Sequence, residues 1–199
     1  MLQKKILFRY LMLFVLLWGI TSQIEAKDKH FIIQGIEYRL SKIVDKLYCT
    51  VANLHPKQMK DSTCLVIPAY VSYKGKSYPV TFCSLGLNKS EEKVVKNIRY
   101  LTIPKTFYIS KYDFRNFTSL LSVSCEDGVE RIGDYAFYQL PELQWVYLPE
   151  SIKEIGSYAF SGCNKLNKIY LFNENMKIGN GAFSNCKSLT YAYVNVHGV

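Results

Sequence analysis

The sequence of 199 residues lacks the spacings on which most metal and nucleophile sites depend. Its six cysteines form no C-x-x-C pair, and its three histidines, His30, His55 and His197, are scattered along the chain. A zinc site therefore lacks its usual ligand spacing. No G-x-S-x-G or H-E-x-x-H motif occurs, and a nucleophile needs a base within hydrogen-bond reach. These absences argue against an enzyme, and we expect no catalytic residue, metal or cofactor.

A phosphate loop and a nucleic-acid patch are missing as well. Gly75-Lys76-Ser77 has the form of the end of a phosphate loop, but Tyr70 stands where the first glycine of that motif belongs. The formal net charge of +9 is spread along the chain, without a block of Lys and Arg to bind phosphates. In an exported protein such an excess favours acidic glycans or anionic surfaces over nucleic acid.

The first 26 residues have the organisation of a secretory signal peptide. Three basic residues precede an apolar run at 10–20, and Ala26 offers a small residue at the cleavage position. This run is shorter than the ~20 residues that a membrane span needs. We therefore expect a secreted or cell-surface protein that begins at Lys27 and has no membrane span after signal removal. Its net charge falls from +9 to +7, because residues 1–26 carry three basic side chains and one acidic side chain.

The dominant feature is a sequence repeat of constant period. IGDYAFYQLPELQWVYL at 132–148, IGSYAFSGCNKLNKIYL at 155–171 and IGNGAFSNCKSLTYAYV at 178–194 are evenly spaced copies of one motif. A catalytic motif has no reason to recur at a fixed period, whereas the coils of a solenoid do. A weaker copy precedes these three, and IRYLTIPKT has the form of the strand of a fifth. The aligned apolar columns are Ile109, Ile132, Ile155 and Ile178; Phe114, Phe137, Phe160 and Phe183; Phe117, Leu140, Cys163 and Cys186; Leu120, Leu143, Leu166 and Leu189; Val123, Val146, Ile169 and Ala192; Cys125, Leu148, Leu171 and Val194.

These columns predict a stacked core. One copy is too small to bury its own apolar side chains, so stacking is what places each column against its neighbours. The L-x-x-V-x-L segment alternates and predicts a short strand with Val146 and Leu148 pointing inward. The phenylalanines fill the middle of each coil, and the glycine after each isoleucine marks a place where a side chain would obstruct the backbone.

The cysteines of the repeat indicate packing more than bonding. Cys163 and Cys186 occupy a column that is Leu140 in the preceding copy, and a free cysteine packs as a small apolar residue. Stacked neighbours also come within the range of a disulfide. A bond between Cys163 and Cys186, or one between Cys49 and Cys64, therefore stays open as an alternative.

The motif I-G-x-x-A-F-x-x-C, followed by this strand, resembles the BspA-like (type 5) leucine-rich-repeat family of bacterial surface proteins. The resemblance covers about residues 98–194, and the preceding segments FIIQGIEYRL and STCLVIPAYVSYKGKSYPVTF resemble the family's usual lead-in. It implies a leucine-rich-repeat solenoid, with a β-strand and a turn or short helix in each coil. It also implies an exported, non-enzymatic recognition protein. Some members are adhesins for host matrix proteins, so the implied partner is an extracellular protein or glycan.

Residues 31–84 have a different pattern. Apolar residues alternate on both sides of Lys74-Gly75-Lys76, which predicts a hairpin with Gly75 in its turn. Residues 31–40 and 46–52 are predicted as further strands. We expect an N-terminal β-rich cap at 27–84, which covers the first coil. The solenoid, of about four to five coils, is predicted to follow at 85–199.

The outward face of the predicted strands carries the candidate partner-binding residues. Tyr147 lies between two inward residues, so Tyr147, Tyr170 and Tyr193 point outward at a spacing of about 4.8 Å. The outward position before them holds Trp145, Lys168 and Tyr191. Tyrosine is favoured in binding surfaces because it is rigid and amphipathic, although cross-strand aromatic pairs also stabilise a sheet. Two functions follow: recognition of a macromolecule through this face, or a structural spacer of a surface assembly with no ligand of its own.

The end of the repeat has no visible cap. After YAYV comes only NVHGV, without a helix, a charged coil or a proline. An apolar end face and an unpaired strand edge would then meet water. We expect the segment after Gly179 to be the least stable part of the monomer, or to be covered by another chain through self-association.

Overall fold

The computed structural model describes residues 26–27, 30–43, 46–59, 62–83, 93–111, 113–173 and 175–194. Apart from Ala26, the predicted signal peptide lies outside the described residues, as does the NVHGV segment at 195–199. Within the described ranges, no helix has the length and apolar character needed to cross a membrane.

The described secondary structure is almost entirely β. The one helix with assigned bounds in these ranges, α1 (Pro56–Met59), lies between β4 and β5. The strands in chain order are β1 (Ala26–Lys27), β2 (His30–Ile33), β3 (Ile36–Ile43), β4 (Lys46–Leu54), β5 (Cys64–Val66), β6 (Tyr70–Tyr73), β7 (Lys76–Cys83), β8 (Tyr100–Ile103), β9 (Ser122–Cys125), β10 (Arg131–Ile132), β11 (Trp145–Tyr147), β12 (Glu154–Ile155), β13 (Lys168–Leu171), β14 (Lys177–Ile178) and β15 (Tyr191–Val194).

The N-terminal part is a six-stranded sheet in the order β1-β2-β3-β4-β7-β6. Its neighbours are antiparallel except β4 and β7, which are parallel. The predicted hairpin is confirmed as β6–β7, with Lys74 and Gly75 in the left-handed region at φ 49° and 73°. The prediction of one strand at 31–40 is wrong. Gln34 and Gly35 adopt φ 50° and 79° and reverse the chain, so this segment is the hairpin β2–β3.

The C-terminal part is the predicted leucine-rich-repeat solenoid. Six parallel strands form its main sheet in the order β15-β13-β11-β9-β8-β5, and β10, β12 and β14 form a second parallel sheet. Residues one repeat period apart face each other across β9, β11, β13 and β15, as in the pairs Ser122 with Trp145, Trp145 with Lys168, and Lys168 with Tyr191. The period read from the sequence is thus the length of one coil.

The strand β5 lies inside the range predicted as the cap. It pairs in parallel with β8 and begins the solenoid sheet, after which the chain returns to the N-terminal sheet through β6 and β7. The predicted boundary at residue 84 therefore does not separate the N-terminal sheet from the solenoid sheet, because the chain passes between them before that residue. The periodicity missed β5 because Cys64 pairs with Tyr100, and the separation of these two residues in sequence is much longer than one regular coil.

The middle of the solenoid is a stack of phenyl rings. Phe114, Phe137, Phe160 and Phe183 lie with ring centroids 5.2, 5.1 and 5.5 Å apart and nearly parallel planes. The glycines beside the isoleucine column allow the coils to approach closely. A Cβ on Gly133 would lie 2.6 Å from the carbonyl oxygen of Ile109 in the preceding coil. Both features confirm the interpretation of the columns.

Candidate recognition surface

The outward face of the main sheet is built by strict alternation in β11. Val146 is fully buried, whereas Trp145 and Tyr147 on either side of it are 46% and 48% exposed. The register pairs Trp145 with Lys168 and Tyr147 with Tyr170. These four residues, Trp145, Tyr147, Lys168 and Tyr170, form one patch that we call the aromatic face.

The rings of the aromatic face contact one another. The centroid of Tyr147 lies 6.4 Å from that of Tyr170 and 5.6 Å from that of Phe172, at interplanar angles of 45° and 58°. Sequence reasoning missed Phe172, which follows the inward-facing Leu171 just after β13. Its counterpart in the preceding copy is Pro149, so no aromatic column pointed to it. Alternation beyond the end of the strand was the one available signal.

The column of Trp145 and the column of Tyr147 both extend to the neighbouring strands on either side. In β15, Tyr191 pairs with Lys168 and Tyr193 with Tyr170, so both predicted site residues occupy the expected register positions. In β9 the same columns hold Ser122 and Ser124. The described surface is therefore uneven: small hydroxyl side chains occupy these columns in β9, and aromatic or long side chains occupy them in β11 and β13.

Three pairs of charged side chains outside this face link successive coils. Lys168, by contrast, forms no ion pair with another residue in the described part of the chain. An unpaired ammonium group thus stands beside the exposed rings. The paired groups are Glu130 with Lys153 at 2.7 Å, Arg131 with Glu154 at 3.1 Å, and Glu142 with Lys165 at 2.8 Å.

The cysteines whose side chains are described are free thiols. Cys163 and Cys186 donate their Sγ–H groups to the carbonyl oxygens of Phe137 and Phe160, each at 3.1 Å. Burial raises the pKa of the Cys163 thiol to about 12, and it raises the pKa of Cys186 as well. Such thiols stay protonated and unreactive at neutral pH, which agrees with their interpretation as packing residues.

Two of the histidines that are scattered in the sequence meet in the N-terminal sheet. His30 Nδ1 lies 2.7 Å from one carboxylate oxygen of Glu37, and His55 Nε2 lies 3.1 Å from the other. Arg39 Nε donates to His30 Nε2 at 3.1 Å. Burial acts to raise the pKa of Glu37, but the hydrogen bonds and charges of both histidines outweigh it and lower that pKa. Across the described ranges, no group of three His, Cys, Asp or Glu side chains is arranged to hold a metal ion.

Known proteins share both the repeat and the fold. The family model of the BspA type leucine rich repeat region matches residues 93–197 in six copies. A leucine-rich repeat protein from Bacteroides ovatus superposes with a TM-score of 0.62 at 26% identity, over 82% of this chain and 41% of that one. A leucine-rich repeat protein from Bacteroides capillosus gives a TM-score of 0.52 at 19% identity, over 85% of this chain and 100% of that one.

A third structure, the pneumococcal vaccine antigen PcpA, gives a TM-score of 0.53 at 20% identity and covers 85% of this chain and 49% of that one. The chain therefore spans less than half the length of the B. ovatus protein and of PcpA. A search of curated protein sequences finds no significant match.

Proposed function

This chain belongs to the family of BspA-type leucine-rich repeat proteins, and we propose that it is an exported, non-enzymatic recognition protein at the cell surface. It binds a macromolecular partner through the aromatic face. The partner class is an extracellular protein or glycan, and the family resemblance favours a host matrix protein. Lys168 beside the rings suits a partner that carries acidic groups.

The observation that carries this proposal is the exposure of Trp145 and Tyr147, nearly half of each residue, on either side of the fully buried Val146. The sheet itself does not need aromatic residues there. Ser122 and Ser124 fill the same two columns in β9, and that strand pairs with β11 in the same register. Exposed Trp and Tyr side chains are the ones that contribute most to binding energy at interfaces, because they bury a large area with little loss of entropy.

The ring contacts support a second candidate, a spacer with no ligand. Tyr147 contacts both Tyr170 and Phe172, and cross-strand aromatic pairs stabilise a sheet by about 0.2–1 kcal/mol each. On this account the aromatic face stiffens the C-terminal coils of a surface assembly. The same rings then serve the fold, and their removal changes stability without affecting any binding.

The test compares two double variants of the full chain in a binding screen against matrix proteins and glycans. Tyr147→Ser with Tyr170→Ser removes two rings of the aromatic face. Tyr70→Ser with Tyr158→Ser removes two exposed tyrosines elsewhere. We expect the first variant to weaken binding at least ~30-fold, the effect of losing one binding hot spot of about 2 kcal/mol, and the second to bind normally. Normal affinity in a folded first variant would leave the spacer function standing.

Export has its own test at the N-terminus. The predicted cleavage after Ala26 leaves Lys27 as the first residue of the mature protein and divides β1, in which Ala26 and Lys27 pair with Phe31 and His30. N-terminal sequencing of protein recovered outside the cell is expected to start at Lys27. Recovered protein that starts at Met1 would contradict the signal peptide.

A further inference from the structure

A groove separate from the aromatic face crosses the turn edge of the solenoid. It has a volume of about 410 Å³ and is lined by Gln139, Pro141, Gly162, Asn164, Asn185 and Lys187. Pro141, Asn164 and Lys187 stand at equivalent positions, one short turn before the first residue of β11, β13 and β15 respectively. The groove therefore lies at the corner where the chain enters the main sheet, and it spans three successive coils.

One of the three coils that line the groove has no side chain at its left-handed position. Gln139, Gly162 and Asn185 are equivalent positions, and all three adopt the left-handed conformation, at φ 54°, 79° and 59°. Gly162 therefore leaves a notch in the middle coil, and the Gln139 side chain partly covers it, because a Cβ on Gly162 would lie 3.0 Å from Gln139 Cγ. With coils about 4.8 Å apart, the backbones at these two residues are separated by roughly 10 Å, and the groove extends along this span.

The lining of the groove contains three side-chain amides and one ammonium group. The side-chain amides of Gln139, Asn164 and Asn185 form no hydrogen bond with any other described residue, and each amide provides two donors and one acceptor. Lys187 has no ion-pair partner within the described ranges, whereas Lys165 in the preceding coil donates to Glu142 at 2.8 Å. Pro141 adds an apolar wall. Convergent polar groups around a concave surface are what fixes a ligand in a binding site.

We propose that this groove binds a saccharide that carries a carboxylate. Neighbouring hydroxyl groups of a sugar pair with the donor and acceptor atoms of the amides. A sugar carboxylate pairs with Lys187 Nζ, and the C–H face of the ring packs on Pro141. The positive net charge of the chain, +7 after the predicted signal removal, favours the approach of such a ligand. The groove shares no residue with the aromatic face. Saccharide binding in the groove can therefore be tested independently of partner binding by the aromatic face.

The first test fills the notch. The probe is a tetrasaccharide of alternating uronic acid and N-acetylhexosamine, titrated into the full chain and followed by NMR. The variant Gly162→Asn is expected to fold, because Asn185 holds the same left-handed conformation and the tight contact of the new Cβ, 3.0 Å from Gln139 Cγ, is with a flexible side chain that can shift. We expect at least tenfold weaker binding. The control Gly75→Asn makes the same change at φ 73° with no atom within 4 Å of the new Cβ, and it should bind normally.

The second test concerns the charge. Lys187→Gln should weaken binding of the acidic probe up to about fivefold, the range of an exposed ion pair, and should reduce its salt dependence. A tetramer of uncharged N-acetylglucosamine should bind the wild type about as weakly as the acidic probe binds Lys187→Gln. The double variant Tyr147→Ser with Tyr170→Ser should leave the titration unchanged.

Three results would overturn the proposal. The first is no shift of groove amides at millimolar probe. The second is unchanged binding by Gly162→Asn. The third is equal binding of the charged and uncharged probes.

Discussion

The coil at residues 155–171 is an inner coil with a described coil on each side, whereas the coil that starts at Ile178 is the last one described. Both contain the same apolar columns, but equivalent residues differ in burial. Ile155 is fully buried, whereas Ile178, the equivalent residue one coil later, is 53% exposed. Phe160 is likewise fully buried, and Phe183 is only partly buried. Burial at a given column is therefore conferred by the next coil and not by the residue itself. Identical sequence positions consequently differ in their contribution to stability.

The sheets give the cause of this difference. The inner strand β12 lies between β10 and β14, but β14 has only β12 beside it among the described strands. In the main sheet β13 lies between β11 and β15, and β15 pairs only with β13 in the same part of the chain. The stability of a solenoid is approximately the sum of its repeats and of the interfaces between neighbours, so a coil with one described interface is expected to open first.

The largest expected effect separates two phenylalanines of one column. Phe160 stacks on Phe137 and Phe183 at 5.1 and 5.5 Å, whereas Phe183 stacks on Phe160 alone among the described rings. Phe160→Ala should lower the free energy of unfolding by about 3–5 kcal/mol, the cost of a large cavity, and Phe183→Ala by about half of that. Chemical denaturation of the two variants gives both values. Equal values would mean that the neighbouring coil does not set the contribution of a column.

The same comparison predicts unequal hydrogen exchange. Amides of Tyr191–Val194 in β15 should exchange at least about tenfold faster than those of Trp145–Tyr147 in β11, because local opening requires less free energy where fewer contacts are lost. The measurement must be made at low protein concentration, so that the monomer is observed. Protection of β15 that increases with concentration would support the proposed self-association. Equal protection in the dilute sample would show that another part of the chain covers this end.

The first coil of the phenyl stack contains a charge that the inner coils lack. Asp113 occupies the column of Ala136, Ala159 and Ala182. Burial raises its pKa to about 6, an effect partly offset by the hydrogen bond that the Ser110 N–H donates at 2.6 Å. The folded pKa lies above the unfolded value of ~3.9. Stability therefore falls as the pH rises between these values, and the cost is fully present above the folded pKa.

Asp113→Asn keeps the hydrogen-bond acceptor and removes this cost. We expect the variant to be more stable than the wild type at pH 7 by about 1–2 kcal/mol, a figure reduced for the partial exposure of the group. The advantage should disappear near pH 4, where the wild-type carboxyl is largely protonated in the folded state and close to half protonated in the unfolded state. Thermal unfolding at several pH values measures it. A difference in stability between Asp113→Asn and the wild type that does not change with pH would show that the substitution acts through packing and not through the charge of Asp113.

The sequence predicted what is periodic and missed what is not. The phenyl stack, the alternation of Val146 with its neighbours and the hairpin at Gly75 follow from local pattern and period. The pairing of β5 with β8 is hidden because a hairpin interrupts the coil, and the meeting of His30 and His55 at Glu37 depends on the register of three strands. Phe172 contacts the aromatic face from a position whose column is not aromatic. The role of that face in binding stays a prediction.

The smallest effect is expected at Lys165, on the surface of an inner coil. Its Nζ donates to both carboxylate oxygens of Glu142 in the preceding coil, each at 2.8 Å, but the two side chains are 54% and 40% exposed. Exposed ion pairs contribute about 0.2–1 kcal/mol, so Lys165→Ala should lower the free energy of unfolding by no more than that. In 1 M salt, where the screening length is roughly 3 Å, its effect should approach zero.

Denaturation of Lys165→Ala, Glu142→Ala and the double variant isolates the pair from other effects of each substitution. The double variant should cost no more than the sum of the two single variants, and the coupling should decrease with salt. The inner coil would then owe its stability to its buried columns. A coupling as large as the cost of Phe160→Ala would place the stability of the coil in its surface charges, and the contrast between inner and last coils would then have to be explained by those charges instead of burial.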